Sequence, residues 1–170
     1  ERELKIAASI QASLLPRELT AAAGWSLAAV CRPAREVGGD FFAELPGRSD
    51  GQHVVVYGDV SGKSISGALM MMAAHEVLKS VALAHPEPEE LLRLANESLY
   101  ALHARRKRGE YQAGSFVSLG YLAFAAGCGR LGYTLAGQPP PLVRRMSGGI
   151  ECLAMPEHRL PLGALRDGGY

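Results

Sequence analysis

Apolar residues step through the first part of the chain at helical spacing, Ile6, Ile10 and Leu14 with charged and polar residues between them, and Pro16 closes the run. A four-residue step gathers side chains on one helix face, so the pattern predicts a helix over residues 1–15. Residues 25–32 read as a strand. The runs 41–45 and 54–57 are β-type and flank Pro46-Gly47-Arg48-Ser49-Asp50-Gly51, which predicts a hairpin with a longer loop. Helical spacing returns in Leu69, Ala73, Val77 and Val81 and, beyond His85-Pro86-Glu87-Pro88, in Leu91, Ala95, Leu99 and Leu102, an expected antiparallel helix pair. From Ser115 the pattern is β again: 116–124, a turn at Gly127-Cys128-Gly129, 131–136, a stop at Pro139-Pro140-Pro141, then 142–146 and 150–154. Strands, then helices, then strands favour an antiparallel α+β architecture over a doubly wound parallel sheet.

Composition narrows this picture. The 170 residues, 48% hydrophobic and 21% charged, suffice for one domain with a real core. A formal charge of +1 argues against a nucleic-acid surface. The basic run Arg105-Arg106-Lys107-Arg108 falls at an expected helix end, where cations suit the macrodipole. Cys31, Cys128 and Cys152 are odd in number and widely spaced, which suggests neither a disulfide framework nor a zinc ribbon and fits a reducing, cytoplasmic setting. No signal peptide and no uninterrupted apolar stretch of the ~20 residues a bilayer needs is visible, so membrane contact is not expected. The first helix is under way at residue 1 without a cap. It is expected either to be fed by an upstream domain or to be an ordinary packing helix, and its apolar stripe offers a homodimer surface. The expected division is a linker or packing helix over 1–16 and one domain over 17–170.

The candidate chemistry lies where Val37-Gly38-Gly39-Asp40-Phe41-Phe42 meets Tyr57-Gly58-Asp59-Val60-Ser61-Gly62-Lys63. A hairpin brings its open ends together. With the loop centred between Arg48 and Ser49, Asp40 falls opposite Tyr57 and Asp59 lies a small register shift away. Two carboxylates about 4 Å apart repel by roughly 4 kcal/mol at an effective dielectric near 20, so they splay into water, share a proton or hold a cation. Oxygen ligands with no His or Cys beside them in sequence favour magnesium or manganese over zinc. The alternative for each Asp alone is a turn acid bonded to local N–H groups. Gly62-Lys63-Ser64 is not a phosphate-binding P-loop, because Tyr57 stands where that motif needs a glycine. His75 reads as a packed or surface histidine, Met70-Met71-Met72 as adaptable core, Lys63 as a solvated lysine or a phosphate contact at the rim, and Trp25 as core with its N–H paired.

Five runs taken in order resemble one family: Ile10-Gln11-Ala12-Ser13-Leu14-Leu15-Pro16, Pro33-Ala34-Arg35-Glu36-Val37-Gly38-Gly39-Asp40-Phe41, Gly58-Asp59-Val60-Ser61-Gly62-Lys63, Ala136-Gly137-Gln138-Pro139-Pro140-Pro141 and Leu160-Pro161-Leu162-Gly163. The series is similar to the SpoIIE-like branch of the metal-dependent (PPM, type 2C) protein serine/threonine phosphatases. The resemblance implies a β-sandwich of two antiparallel sheets flanked by helices, with two manganese or magnesium ions at one end. It implies that Asp59 bridges both ions, that the Val60 carbonyl binds one, and that Asp40 adds a direct or water-mediated contact. It further implies hydrolysis of phosphoserine or phosphothreonine by a metal-activated water, on a phosphorylated STAS-domain anti-anti-sigma protein in bacterial sigma-factor signalling. Against the family pattern, Leu135 and Gln138 stand where Asn and His are usual, Ser118 where Thr is common and Phe124 where Asp is common. The chain is expected to stop before the Asp-Gly segment and the later acidic residue that complete the metal site, with Asp167-Gly168 only a turn. These departures motivate an alternative: a catalytically weak, phosphatase-like binding or regulatory module.

Overall fold

The computed structural model describes residues 2–20, 22, 24–49, 51–62, 64–106, 116–127, 129–155 and 160–170. Helix α1 spans Arg2–Leu14, strands β1 and β2 span Asp40–Pro46 and Gln52–Val60, and helices α2 and α3 span Ser64–Ala84 and Pro88–Arg106. Strands β3 (Val117–Ala125), β4 (Leu131–Ala136), β5 (Leu142–Arg144) and β6 (Ile150–Cys152) follow. The architecture is antiparallel α+β, as expected. One sheet has the order β1-β2-β3-β4, and the second sheet is, among the described residues, the β5-β6 ribbon. Lys63, Cys128 and residues 107–108 of the basic run lie outside the described residues.

Local chemistry accounts for the element ends. Pro88 opens α3, where a missing N–H costs nothing, and Glu89 and Glu90 place negative charge in its first turn. Three residues join α2 to α3, and His85 N–H closes the end of α2 on the Val81 carbonyl at 2.8 Å. Both helices cover one face of the sheet. Met71, Ala74 and Leu78 of α2, Leu91, Ala95 and Leu99 of α3, and Val54, Val56, Leu119 and Tyr121 of the sheet form one buried core. Met70 and Met71 are buried there, with Met72 packed at the edge.

The window Ile65–Ala84 of α2 is, by length and mean hydropathy (1.3), apolar enough to cross a membrane, contrary to the expectation that no stretch reaches that length. In the fold this helix packs its apolar side on the core described above.

The other face of the sheet is covered by the segment that precedes β1. Trp25 packs edge-on against Phe124 with ring centroids 5.1 Å apart, and its Nε1–H donates to the Ala125 carbonyl at 3.2 Å. Phe124 is therefore core. The Thr20 hydroxyl donates to Glu44 at 2.7 Å, a second tie to the sheet. The expected strand over residues 25–32 is not formed among the described residues: this segment lines a cavity of about 580 Å³ together with residues of the sheet face and pairs with no strand there.

Candidate metal centre

The β1-β2 ladder places Asp40 directly opposite Asp59, with Phe42 opposite Tyr57. The hairpin centre thus lies one residue beyond the expected point between Arg48 and Ser49, and the partner of Asp40 moves by two residues, from Tyr57 to Asp59. The turn closes on Ser49, whose carbonyl accepts from Gln52 N–H at 3.1 Å, with Gly51 at φ +82°, so the centre of the hairpin moves along the chain. The shift improves the site, because the two acids become cross-strand partners at the open end of the sheet, where both are exposed.

Gly39 shapes the space beside them. A Cβ there would stand 2.7 Å from the Val60 carbonyl oxygen and 3.0 Å from Asp59 Oδ1. Those two oxygens thus face one small cradle that only glycine leaves open. Val60, itself buried, is held by its N–H donating to the Gly39 carbonyl at 3.3 Å. Just beyond, Ser61 N–H donates to the Phe116 carbonyl at 2.9 Å and Ser61 Oγ accepts from Phe116 N–H at 2.7 Å, which pins the chain as it leaves the sheet. Partial burial raises the Asp59 carboxyl above its usual range, the Asp40 charge raises it further, and the Val60 N–H beside it pulls the other way.

Asp40 also forms part of the wall of the 580 Å³ cavity, whose other polar side chains are Ser26, Cys31, Arg32, Tyr57 and Gln138 among largely apolar residues. Cys31 was not foreseen at the site by its place in the sequence. Its thiol donates to the Asp40 carbonyl at 3.6 Å, and burial, then the Asp40 charge, raise it above the usual thiol range. Gln138 Nε2 donates to Ser118 Oγ at 2.9 Å, and Ser118 Oγ donates to the Asp59 carbonyl at 3.2 Å. Leu135 points into the core and is 2% exposed, so an apolar residue suits that position. Asp167 accepts from Gly169 N–H at 3.2 Å, the expected turn. His75 is buried on α2, edge-on to Phe41, with Nδ1 2.9 Å from Glu76 Oε1, the packed histidine anticipated.

The donor set of Asp40, Asp59 and the Val60 carbonyl is all oxygen, and the glycine cradle gives it room, which fits a hard divalent cation that keeps several water ligands. Among the described residues, no group of three or more His, Cys, Asp and Glu side chains is placed to hold a metal.

No curated protein sequence matches the chain. Among solved structures, the SiaA-PP2C domain of Pseudomonas aeruginosa superposes with a TM-score of 0.72 at 19% identity, covering 95% of this chain and 62% of that one. The RsbU and RsbW domains of a Mycobacterium tuberculosis protein give a TM-score of 0.59 at 24% identity, covering 79% of this chain and 35% of that one. An S. agalactiae serine/threonine phosphatase gives 0.54 at 14% identity, with 73% and 51% covered. The chain thus spans less than two thirds of the length of each of these structures, and the likeness is one of fold. The sequence model of the family described as Stage II sporulation protein E matches residues 49–170, from the hairpin loop through β2, both core helices and all later strands, and by that match the chain belongs to the SpoIIE family.

Proposed function

We infer that this chain is the catalytic module of a metal-dependent protein serine/threonine phosphatase, a hydrolase that removes phosphate from phosphoserine or phosphothreonine of a regulatory protein. The observation that carries the reading is the pairing of Asp40 with Asp59, which sets two carboxylates and the Val60 carbonyl around the Gly39 cradle. SpoIIE family membership supports it. Asp40, Asp59 and the Val60 carbonyl would hold manganese or magnesium, two ions in a complete site. When bound, such ions supply a water of lowered pKa and positive charge for the phosphoryl oxygens, which suits one of the slowest uncatalysed hydrolyses. The chain's own residues orient these donors and keep the backbone open at Gly39 and Gly58. The hydroxyls of Ser61 and Ser118 are engaged in fixing backbone, so a nucleophile from solvent suits the site better than one from the protein.

The resemblance of the sequence motifs supports a phosphorylated STAS-domain anti-anti-sigma protein as substrate, and hence a place in sigma-factor signalling in the cytoplasm. Cys31 and Cys152 are free thiols, in keeping with a reducing setting. An upstream sensor region would act through α1, and Ile6 and Ile10, about half exposed on that helix, offer the surface of a homodimer. A second reading is favoured by the small donor set: with Leu135 and Gln138 in place of the family's Asn and His, and no third metal-ligating side chain gathered among the described residues, the chain would recognise a phosphoprotein without turning it over.

The deciding experiment is Mn²⁺-dependent hydrolysis of a phosphoserine protein, with Asp59→Asn assayed beside it. Metal-dependent turnover that Asp59→Asn abolishes is the expected result. Absence of turnover together with partner binding that is indifferent to metal would favour the binding module.

A further inference from the structure

Two hydrogen bonds tie the end of β4 to the backbone of a candidate metal ligand on β2. Gln138 Nε2 donates to Ser118 Oγ at 2.9 Å, and Ser118, the cross-strand partner of Asp59, donates from Oγ to the Asp59 carbonyl at 3.2 Å. The Asp59 carbonyl and the Val60 N–H belong to one peptide plane, which is rigid. That plane is therefore gripped from both sides, by Ser118 on β3 and by the Gly39 carbonyl, which accepts from Val60 N–H at 3.3 Å. Its two flanking bonds carry the Asp59 carboxylate on one side and lead to the Val60 carbonyl on the other.

The direction of the relay is decided by Gln138. A serine hydroxyl has one proton and two acceptor sites. Left alone, Ser118 has the choice of turning that proton away from the backbone. The Gln138 amide N–H can only donate, so it occupies an acceptor site of Ser118 and leaves the proton for the Asp59 carbonyl. Gln138 is brought there by Gly137, whose φ of +79° and close approach to Pro161, 2.7 Å from a Cβ built on that glycine, exclude a side chain. Gln138 is half-buried in the same cavity wall as Asp40.

We propose that Gln138 is a positioning residue of the metal centre: by donating to Ser118 it commits the hydroxyl proton to the Asp59 carbonyl and locks the Asp59-Val60 peptide plane that aims both ligands. Its consequence for metal binding rests on the phosphatase reading. The lock itself is a property of the metal-free chain.

The test compares wild type with Gln138→Ala, Gln138→Glu, Gln138→His, Ser118→Ala and the Gln138→Ala/Ser118→Ala double variant. Amide hydrogen exchange of Val60 is followed by NMR without metal, and Mn²⁺ binding by calorimetry. Exchange at Val60 is expected to quicken roughly fivefold to tenfold in Gln138→Ala and Ser118→Ala, as for loss of one hydrogen bond. Gln138→Glu, nearly the same size but an acceptor, should do the same by drawing the Ser118 proton away, while Gln138→His, whose ring N–H can donate, should restore the slow rate. The double variant should be no faster than Ser118→Ala, since both changes break one chain. Mn²⁺ affinity of Gln138→Ala should fall about tenfold, in the range seen for residues that orient a ligand from behind. Unchanged Val60 exchange in Gln138→Ala and Gln138→Glu, or an equal quickening at distant Val55 and Tyr121, overturns the proposal. Wild-type Mn²⁺ binding that the Gln138 variants share unaltered overturns it alone, whereas a wild-type chain with neither Mn²⁺ affinity nor turnover overturns its metal role together with the phosphatase reading.

Discussion

Gln11, the buried residue of α1, grips Gly38 with both ends of its side-chain amide: Nε2 donates to the Gly38 carbonyl at 2.7 Å, and Gly38 N–H donates to Oε1 at 3.0 Å. Gly38 is two residues from Asp40, so this amide joins the first helix to the candidate metal centre across 27 positions of sequence. The two bonds satisfy both the donor and the acceptor of one loop residue, and nothing else on α1 is so deeply held.

Gln11→Ala should therefore loosen the Gly38-Gly39 segment more than it loosens the core. Unfolding stability is expected to drop by about 1–3 kcal/mol, the cost of leaving partly buried polar groups unpaired. Mn²⁺ affinity should fall with it. Chemical denaturation and calorimetry on the same variant check both, and an unchanged affinity would disconnect α1 from the site.

Gly39→Ala tests the cradle. The added Cβ would meet the Val60 carbonyl oxygen at 2.7 Å, a backbone atom in a buried residue that has little freedom to retreat. An overpacking cost of about 1–3 kcal/mol is expected, with loss of Mn²⁺ binding. Gly24→Ala, where no atom lies within 4 Å, is not a clean control because φ is +83° there. Gly149→Ala, also open and without positive φ, is the better one and should leave both properties unchanged.

Asp59→Asn should stabilise the metal-free chain near neutral pH. Burial and the Asp40 charge raise the Asp59 carboxyl in the folded state, so the fold binds its proton more tightly than the unfolded chain does. Stability contributed by the protonated form is present in acid and is lost as pH rises through the raised pKa. Asn removes that loss along with the repulsion from Asp40. Metal reverses the order: Mn²⁺ at a hundred times its dissociation constant should stabilise wild type by about 2.7 kcal/mol and leave Asp59→Asn nearly unmoved. Thermal melts with and without Mn²⁺ read both signs.

Leu135→Asn would restore the residue usual in the family, yet it is expected to weaken this chain. The side chain is 2% exposed, in the core end of β4, and an amide there replaces apolar contact with polar groups in need of partners. A loss of roughly 3 kcal/mol in denaturant unfolding is expected. A neutral outcome would mean that the site opens to accept the amide.

Alkaline pH should release the last residues from α3. Burial pushes the Tyr170 phenol up to about 12, and its hydroxyl donates to the Leu160 carbonyl at 2.7 Å. The folded pKa lies above the usual tyrosine value of about 10, so its contribution to stability is intact below that pH and disappears as pH climbs toward 12. Phenolate absorbance should show a late-titrating tyrosine that is missing in Tyr170→Phe. Asn96 holds the same segment, with Nδ2 donating to the Leu165 carbonyl at 3.1 Å and Oδ1 accepting from Gly163 N–H at 2.7 Å.

Much of this architecture is written in local pattern. The four-residue steps of Leu69 to Val81 and of Leu91 to Leu102 fall inside α2 and α3, because a helix bonds within itself and its face is set by nearby spacing. Strand β4 over Leu131–Ala136 is likewise legible from its run of residues. The meeting of the two acids beside glycines is legible for the same reason: Asp40 and Asp59 lie at the ends of one hairpin, and a hairpin must bring its ends together. Recognition of the five ordered motifs adds the family, which the match over residues 49–170 bears out.

What the tertiary structure decided are the relations that no short window contains. The cross-strand pairing of Asp40 with Asp59 depends on where the turn closes, and a shift of one position changes every partner along the ladder. The segment at 25–32 reads as a strand but lines a cavity against the sheet face, because pairing needs a neighbouring edge and not only a suitable sequence. Gln11 meets Gly38, and Gln138 reaches Ser118, only after α1 and the end of β4 have docked on the sheet. The sequence by itself determined the helices and the paired strands, though not the fate of 25–32, since helices and hairpins depend on neighbours along the chain. The fold alone determined which polar groups meet around Asp40 and Asp59, since a side-chain hydrogen bond forms only within about 3 Å, and packing of distant segments sets that distance.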